Sequence, residues 1–149
     1  MSSQRKRIYE ATAGDSVMRD IQLVMERWGA WASEGNSDVD WAPVAAGFKG
    51  LVPSTRKTRA QCCDDDGFAI DAAVLRLKKY NPYYFQLIVM HYIKASALRA
   101  MGTKLGISHN EVSKRLQAAE GFIEGVLAVS GVTLELDKCV QKEIINRVA

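Results

Sequence analysis

Apolar side chains recur at Ile21, Val24, Met25, Trp28 and Trp31, the i, i+3, i+4, i+7 spacing of a helix that buries one face. The run "EGNSD" ends that helix with a glycine and turn formers. The next stretch, "VDWAPVAAGFKGLVPSTRKTRAQ", carries Pro43 and Pro53 and predicts irregular chain with one short helix near Pro43. Asp64, Asp65 and Asp66 then open a helix that closes on Arg76, Lys78 and Lys79, placing acids and bases at the helix-dipole ends that favour them. Asn81 and Pro82 supply an N-cap and a first-turn proline for a helix running through Phe85, Leu87, Ile88 and His91 to Ile93. Leu98, Met101 and Leu105 line a shorter helix that Ser96 is placed to cap. Val112, Leu116, Ala119, Ile123 and Leu127 mark the buried face of a long last one. No stretch alternates with the period of a strand, and no repeat is present. The expectation is an all-α fold, with residues 1–17 as a flexible leader and residues 18–149 as a single helical domain.

The junction "LGISHNEVSKRL", Leu105 to Leu116, organises the rest. Gly106 permits the positive φ that a tight turn after a helix requires. Ile107 is expected to plug the elbow, Ser108 to cap the next helix, and Glu111 to complete a capping box with it. Gly102 lies mid-helix, where glycine costs about 1 kcal/mol relative to alanine, and a close crossing is the physical reason to accept that loss. Beyond the elbow, His109, Asn110, Ser113, Lys114 and Gln117 occupy about 140° of helical arc away from the apolar positions. Donors and acceptors concentrated in the first turns suit a recognition helix that enters the major groove N-terminus first. The segment from about 96 to 128 therefore reads as a helix-turn-helix. Arg115 stands three residues after Val112 where many repressor-type motifs carry an aliphatic, and Leu116 follows one residue later, as in the C-terminal domains of sigma factors. The run "FQLIVMHYIKASALRAMGTKLGIS" also resembles the fourth conserved region of sigma factors.

Composition changes this picture little. The 149 residues are 48% hydrophobic and 25% charged, enough for one domain with a real core. The net charge is only +3, but from Lys94 to Gln117 five cations stand against the single acid Glu111. Clustered positive charge on one motif is the electrostatic footprint of nucleic-acid binding. A second basic stretch, "KGLVPSTRKTR", holds Lys49, Arg56, Lys57 and Arg59 with no acid.

Cys62, Cys63 and Cys139 make an odd and badly spaced disulfide set, which fits a reducing compartment. "QCCDDD" lacks the ligand spacing of a zinc site, so neither a metal nor a cofactor is expected. Three adjacent carboxylates are compatible with Mg²⁺ chemistry, a nuclease using Asp64 to Asp66 and Asp71 for instance. Capping of a helix N-terminus explains them more simply, because no His/Asp pairing, P-loop or nucleophile accompanies them. His91 reads as a core-edge residue rather than a catalyst. With no apolar run near 18 residues and no secretory signal, the cytoplasm is the default location.

The stretches "MRDIQLVMERWGAWA", "AAGFKGL", "QCCDDD", "RLKK" and "KRLQAAEGFIEGVL" occur in this order between Met18 and Leu127. In them the chain resembles the antitermination protein Q family of lambdoid bacteriophages, in its zinc-free, phage 21 type. The first seventeen residues lie outside the pattern, and the end after Leu134 matches it loosely. The resemblance implies a late-gene regulator of an infected bacterial host and not an enzyme. Such a protein binds a double-stranded DNA element near the late promoter, loads onto paused RNA polymerase holoenzyme, and narrows the RNA exit channel so that a terminator hairpin cannot form.

On that reading His109, Asn110, Ser113, Lys114 and Gln117 contact base edges, with Asn110 suited to adenine and Lys114 to guanine. Arg99, Thr103, Lys104 and Arg115 are the expected phosphate contacts. Lys49, Arg56, Lys57 and Arg59 are candidates to line the path of nascent RNA, against a plainly solvated loop. Two copies in tandem on the DNA are compatible with the sequence, as is one. The alternative is a helix-turn-helix repressor or activator that makes no lasting contact with polymerase.

Overall fold

The computed structural model describes residues 19–47 and 59–138. Helix α1 spans Ile21–Trp31 and continues into one wider π turn, Ala32–Asn36. Its first turn is capped by Asp20, whose carboxylate accepts the Leu23 N–H at 3.2 Å. Helix α2, Ala42–Ala46, is the short helix expected near Pro43. Helix α3 covers Asp64–Tyr80, and α4 covers Pro82–Ile88 before widening into a second π turn, Val89–Ile93. Helix α5 is Leu98–Leu105, α6 is His109–Val129, and residues 135–138 begin a further helical turn. The described residues contain helices and no strand, so the all-α expectation stands.

Helix α6 is the hub, packing against α1, α3, α4 and α5. Its expected inner face, Val112, Leu116, Ala119, Ile123 and Leu127, is fully or almost fully buried. Each large aliphatic taken out of water this way contributes about 1.5–3 kcal/mol before conformational entropy is set against it. Trp28 and Trp31 lie in the same core beside Met25, Ile70, Leu77 and Phe85.

The buried carboxylates and tryptophan indoles find partners distant in sequence. The Trp28 indole donates to Asp71 at 2.8 Å and the Trp31 indole to Asp64 at 2.9 Å. Asp71 also accepts from the Ser37 hydroxyl and the Asp38 N–H, fixing the chain that leaves α1. Asp66 reaches across the molecule to accept the N–H groups of Glu135 and Leu136 at 2.8 and 3.0 Å. The acidic run thus corrects the capping expectation. The N-cap of α3 is Cys63, which makes no side-chain capping bond, and Asp66 holds the start of a different helical turn. Burial, followed by the nearby charge of Asp66, pushes the neighbouring Cys62 thiol up to about 12, so it packs as an inert hydrophobe.

Two further polar pairs join the layers. The Tyr92 hydroxyl donates to Glu120 in the middle of α6, both side chains being buried. Arg19 makes a two-pronged ion pair with Asp137, both contacts at 2.9 Å, and also donates to the Val132 carbonyl. Ser96 does not cap α5 as expected. Ala97 is the N-cap residue, while Ser96 is turned into the core with its hydroxyl unpartnered among the described residues.

Candidate nucleic-acid interface

Helices α5 and α6 meet at the three-residue turn Gly106–Ser108. Gly106 has φ +72° and ψ +30°, the left-handed conformation in which any Cβ is strained. Its N–H and that of Ile107 both point back to the Gly102 carbonyl, satisfying the end of α5. A Cβ on Gly102 would stand 2.6 Å from the Ile107 carbonyl oxygen and 3.3 Å from the His109 nitrogen. The missing side chain therefore lets the turn fold back against its own helix. Ile107 is half-buried against the core, as an elbow plug should be.

Ser108 caps α6, its hydroxyl accepting the Glu111 N–H at 3.2 Å. The reciprocal half of the expected capping box is missing. The Glu111 carboxylate accepts instead from Arg115 at 3.0 Å, one turn further along. Arg115 also donates to the Tyr83 hydroxyl on α4 at 2.6 Å and lies 5.5 Å from the centre of that ring. These contacts place Arg115 on the flank of α6 that faces α4, engaged within the protein by Glu111 and Tyr83.

His109, Asn110, Lys114 and Gln117 are exposed, and Ser113 is half-buried beside them. They share one face of the first two turns of α6, away from Val112 and Leu116. Arg99, Thr103 and Lys104 are exposed on α5, so the cations of both helices flank the elbow. The Thr103 hydroxyl donates to the Arg99 carbonyl at 3.1 Å, so its proton is committed inside the helix. A shallow groove at the elbow is lined by Arg99, Thr103, Ser108 and His109, with no carboxylate among the described residues that form it. The positive ends of two helix dipoles do not converge there. Arg99 is the cation that lines the groove, and the exposed Lys104 and Lys114 stand on the same two helices.

Of the second basic stretch, Lys49, Arg56 and Lys57 lie outside the described residues, as do the leader 1–17 and Cys139. Arg59 is described, and its guanidinium donates to the Tyr92 and Ile93 carbonyls at 2.6 and 3.0 Å. It satisfies the open end of the π turn that follows α4, a helix terminus whose carbonyls have no partner within the helix. This role could not be read from the sequence, because the π turn that frees those carbonyls leaves no periodic signal. His91 is a core-edge residue, its Nδ1 hydrogen-bonded to the Ser96 carbonyl at 2.9 Å. No three His, Cys, Asp or Glu side chains among the described residues converge as metal ligands. No helix among them is long and apolar enough to cross a membrane.

Comparison with known proteins places these features in a family. The model for "Phage antitermination protein Q" matches residues 18–135. Antitermination protein Q of Escherichia phage 933W is 46% identical over 127 residues, covering 85% of this chain and 88% of that protein. A prophage antitermination protein Q homolog, QuuD, of Escherichia coli (strain K12) is 48% identical over 120 residues, covering 80% and 94%. Among solved structures, transcription antitermination factor Q21 superposes with a TM-score of 0.59 at 23% identity, over 82% of this chain and 92% of that one. The same factor in complex with Q21-binding-element DNA gives 0.57 at 21% identity, over 83% and 93%. Matched along most of its length by the family model and nearly half identical to these phage and prophage relatives, the chain belongs to the phage antitermination protein Q family.

Proposed function

We propose that this protein binds a DNA element at a phage late promoter through α6, loads onto paused RNA polymerase, and suppresses termination by narrowing the RNA exit channel. The observation that carries the DNA-directed part is the polar face His109, Asn110, Ser113, Lys114 and Gln117, thrust forward by the Gly106 turn, beside which the Glu111 carboxylate is paired with Arg115. A structural relative solved with its binding-element DNA supports it. In this reading α5, the turn and α6 form a helix-turn-helix like that of sigma region 4, with α6 in the major groove. Asn110 pairs with adenine and Lys114 with guanine, while Arg99 and Lys104 contact phosphates. Arg115, held by Tyr83 and Glu111, serves mainly to set the angle of α6. Double-stranded DNA, polymerase and nascent RNA are the partners, and Lys49, Arg56 and Lys57 remain the candidates for the RNA path.

Two measurements test this reading. In binding titrations, Asn110→Ala and Lys114→Ala should each lose about 1–3 kcal/mol on the specific site and relax preference at one base pair. Arg99→Ala and Lys104→Ala should weaken specific and scrambled DNA alike and lower the salt slope by about one each. A read-through assay with purified polymerase should show the terminator bypassed only when the protein and its DNA element are both present. Specific binding with unchanged termination would instead identify a repressor or activator.

A further inference from the structure

The second half of α6, on the far side of Glu120 from the elbow, forms an apolar groove with the end of α3. Tyr80 is 72% exposed and Val129 90%, and Phe122 and Val126 lie partly exposed between them. The Tyr80 and Phe122 rings stack at 4.9 Å, making one wall of the groove, whose volume is about 710 Å³. From Ala118 to Val129 every exposed position is alanine, glycine or valine, whereas a solvated helix face is ordinarily polar. Gly121 and Gly125 form the floor, and a Cβ on either would meet nothing within 4 Å, so packing within the chain does not require them. The α3 rim carries Arg76 and Lys79, and the described lining residues include no carboxylate.

We propose that this groove docks an amphipathic helix of a partner protein, apolar on one side and edged with acidic residues three or four positions apart. The apolar side of such a helix covers Phe122, Val126 and Val129 and approaches closely over the two glycines. Its acids meet Arg76 and Lys79, which sit three residues apart on α3 at matching spacing. A second copy fits less well. Pairing this face with itself brings two sets of Arg76 and Lys79 together across an apolar seam, and like charges there are repulsive. The groove is some 24 Å along α6 from His109, by the rise of 1.5 Å per residue, so docking there leaves the DNA-directed face open.

The test uses the full chain and two fluorescent helical peptides with the same leucine face, one edged with glutamate and one with lysine. The glutamate peptide should bind saturably, at least about tenfold more tightly than the lysine peptide, a difference of about 1.4 kcal/mol. Gly125→Leu fills the groove from a position with open space around it, so it should keep its thermal transition and lose peptide binding about tenfold or more. Arg76→Glu combined with Lys79→Glu should invert the preference between the peptides. The proposal is overturned if neither peptide binds, if both bind alike, or if Gly125→Leu binds as the parent does. It is equally overturned if sedimentation shows a dimer that Gly125→Leu dissolves, which assigns the face to a second copy. Binding that appears only after removal of residues 139–149 assigns it to the chain's own end.

Discussion

Gly102 and Gly125 both interrupt helix interiors, and their surroundings set opposite responses to an added methyl group. At Gly125 the Cβ enters open space, so Gly125→Ala should stabilise the protein by up to about 1 kcal/mol through helix propensity alone. At Gly102 it collides with the Ile107 carbonyl at 2.6 Å, and Gly102→Ala should destabilise by about 1–3 kcal/mol as the elbow is forced apart. Thermal or urea denaturation of the two variants checks both signs. Glu120 offers a test in pH. Burial raises its carboxyl above the ordinary value despite the opposing hydrogen bond from Tyr92. The folded protein therefore holds a proton that the unfolded chain releases, and stability falls as pH rises from the ordinary glutamate range to the raised one. Glu120→Gln keeps an acceptor for Tyr92 without the charge and should flatten that decline, read from denaturation midpoints between about pH 4, near the ordinary glutamate value, and about pH 8.

At the scale of elements, each helix with a sustained 3.6 period was legible in the sequence. Trp28 and Trp31 and the stripe from Val112 to Leu127 fell on buried faces because a single periodicity governed both pattern and packing. The turn chemistry of Gly106 and Ser108 was equally legible, since a left-handed φ and a capping hydroxyl are local demands. What escaped were interactions that span the chain. Asp66 looks like a cap for its own helix, yet its partners are Glu135 and Leu136. Arg115 stands where a phosphate contact belongs on a helical wheel, but Tyr83 on another helix reaches it first. Ser96 has the composition of a cap, and the start of α5 one residue later turns it inward. Leu87 to Met90, Tyr92 and Ile93 are all buried, so the five-residue widening at Val89–Ile93 leaves no periodic trace, which is why the partner of Arg59 was invisible. Cutting the link from Tyr83 to Arg115 should reveal its part in positioning: Tyr83→Phe should keep the fold and weaken specific DNA binding by about 1 kcal/mol, the scale of one hydrogen bond. Equal specific affinity in parent and variant would remove Arg115 from any role in aiming α6.

Across the whole molecule, the Arg19–Asp137 pair ties the start of the described chain to its end. Arg19 is 11% and Asp137 3% exposed, so water competes weakly for either charge. Burial alone would raise the Asp137 carboxyl, but the bonds from Arg19 and the Leu134 N–H outweigh it and hold the group below the ordinary aspartate range. Its contribution is accordingly complete above the unfolded-state value and disappears as pH falls through the lowered one. Arg19→Met should cost roughly 3 kcal/mol at neutral pH by leaving Asp137 buried and unpaired, and less on acidification, as measured by denaturant unfolding. The pair also joins residues 118 positions apart in sequence, so closing it carries an entropic toll that early, local helix contacts do not share. The pair is therefore expected to close after the folding barrier has been crossed. Its loss should leave the refolding limb of a chevron where it was and hasten escape from the native state, making this one contact a clock for the protein's lifetime rather than a guide to its assembly.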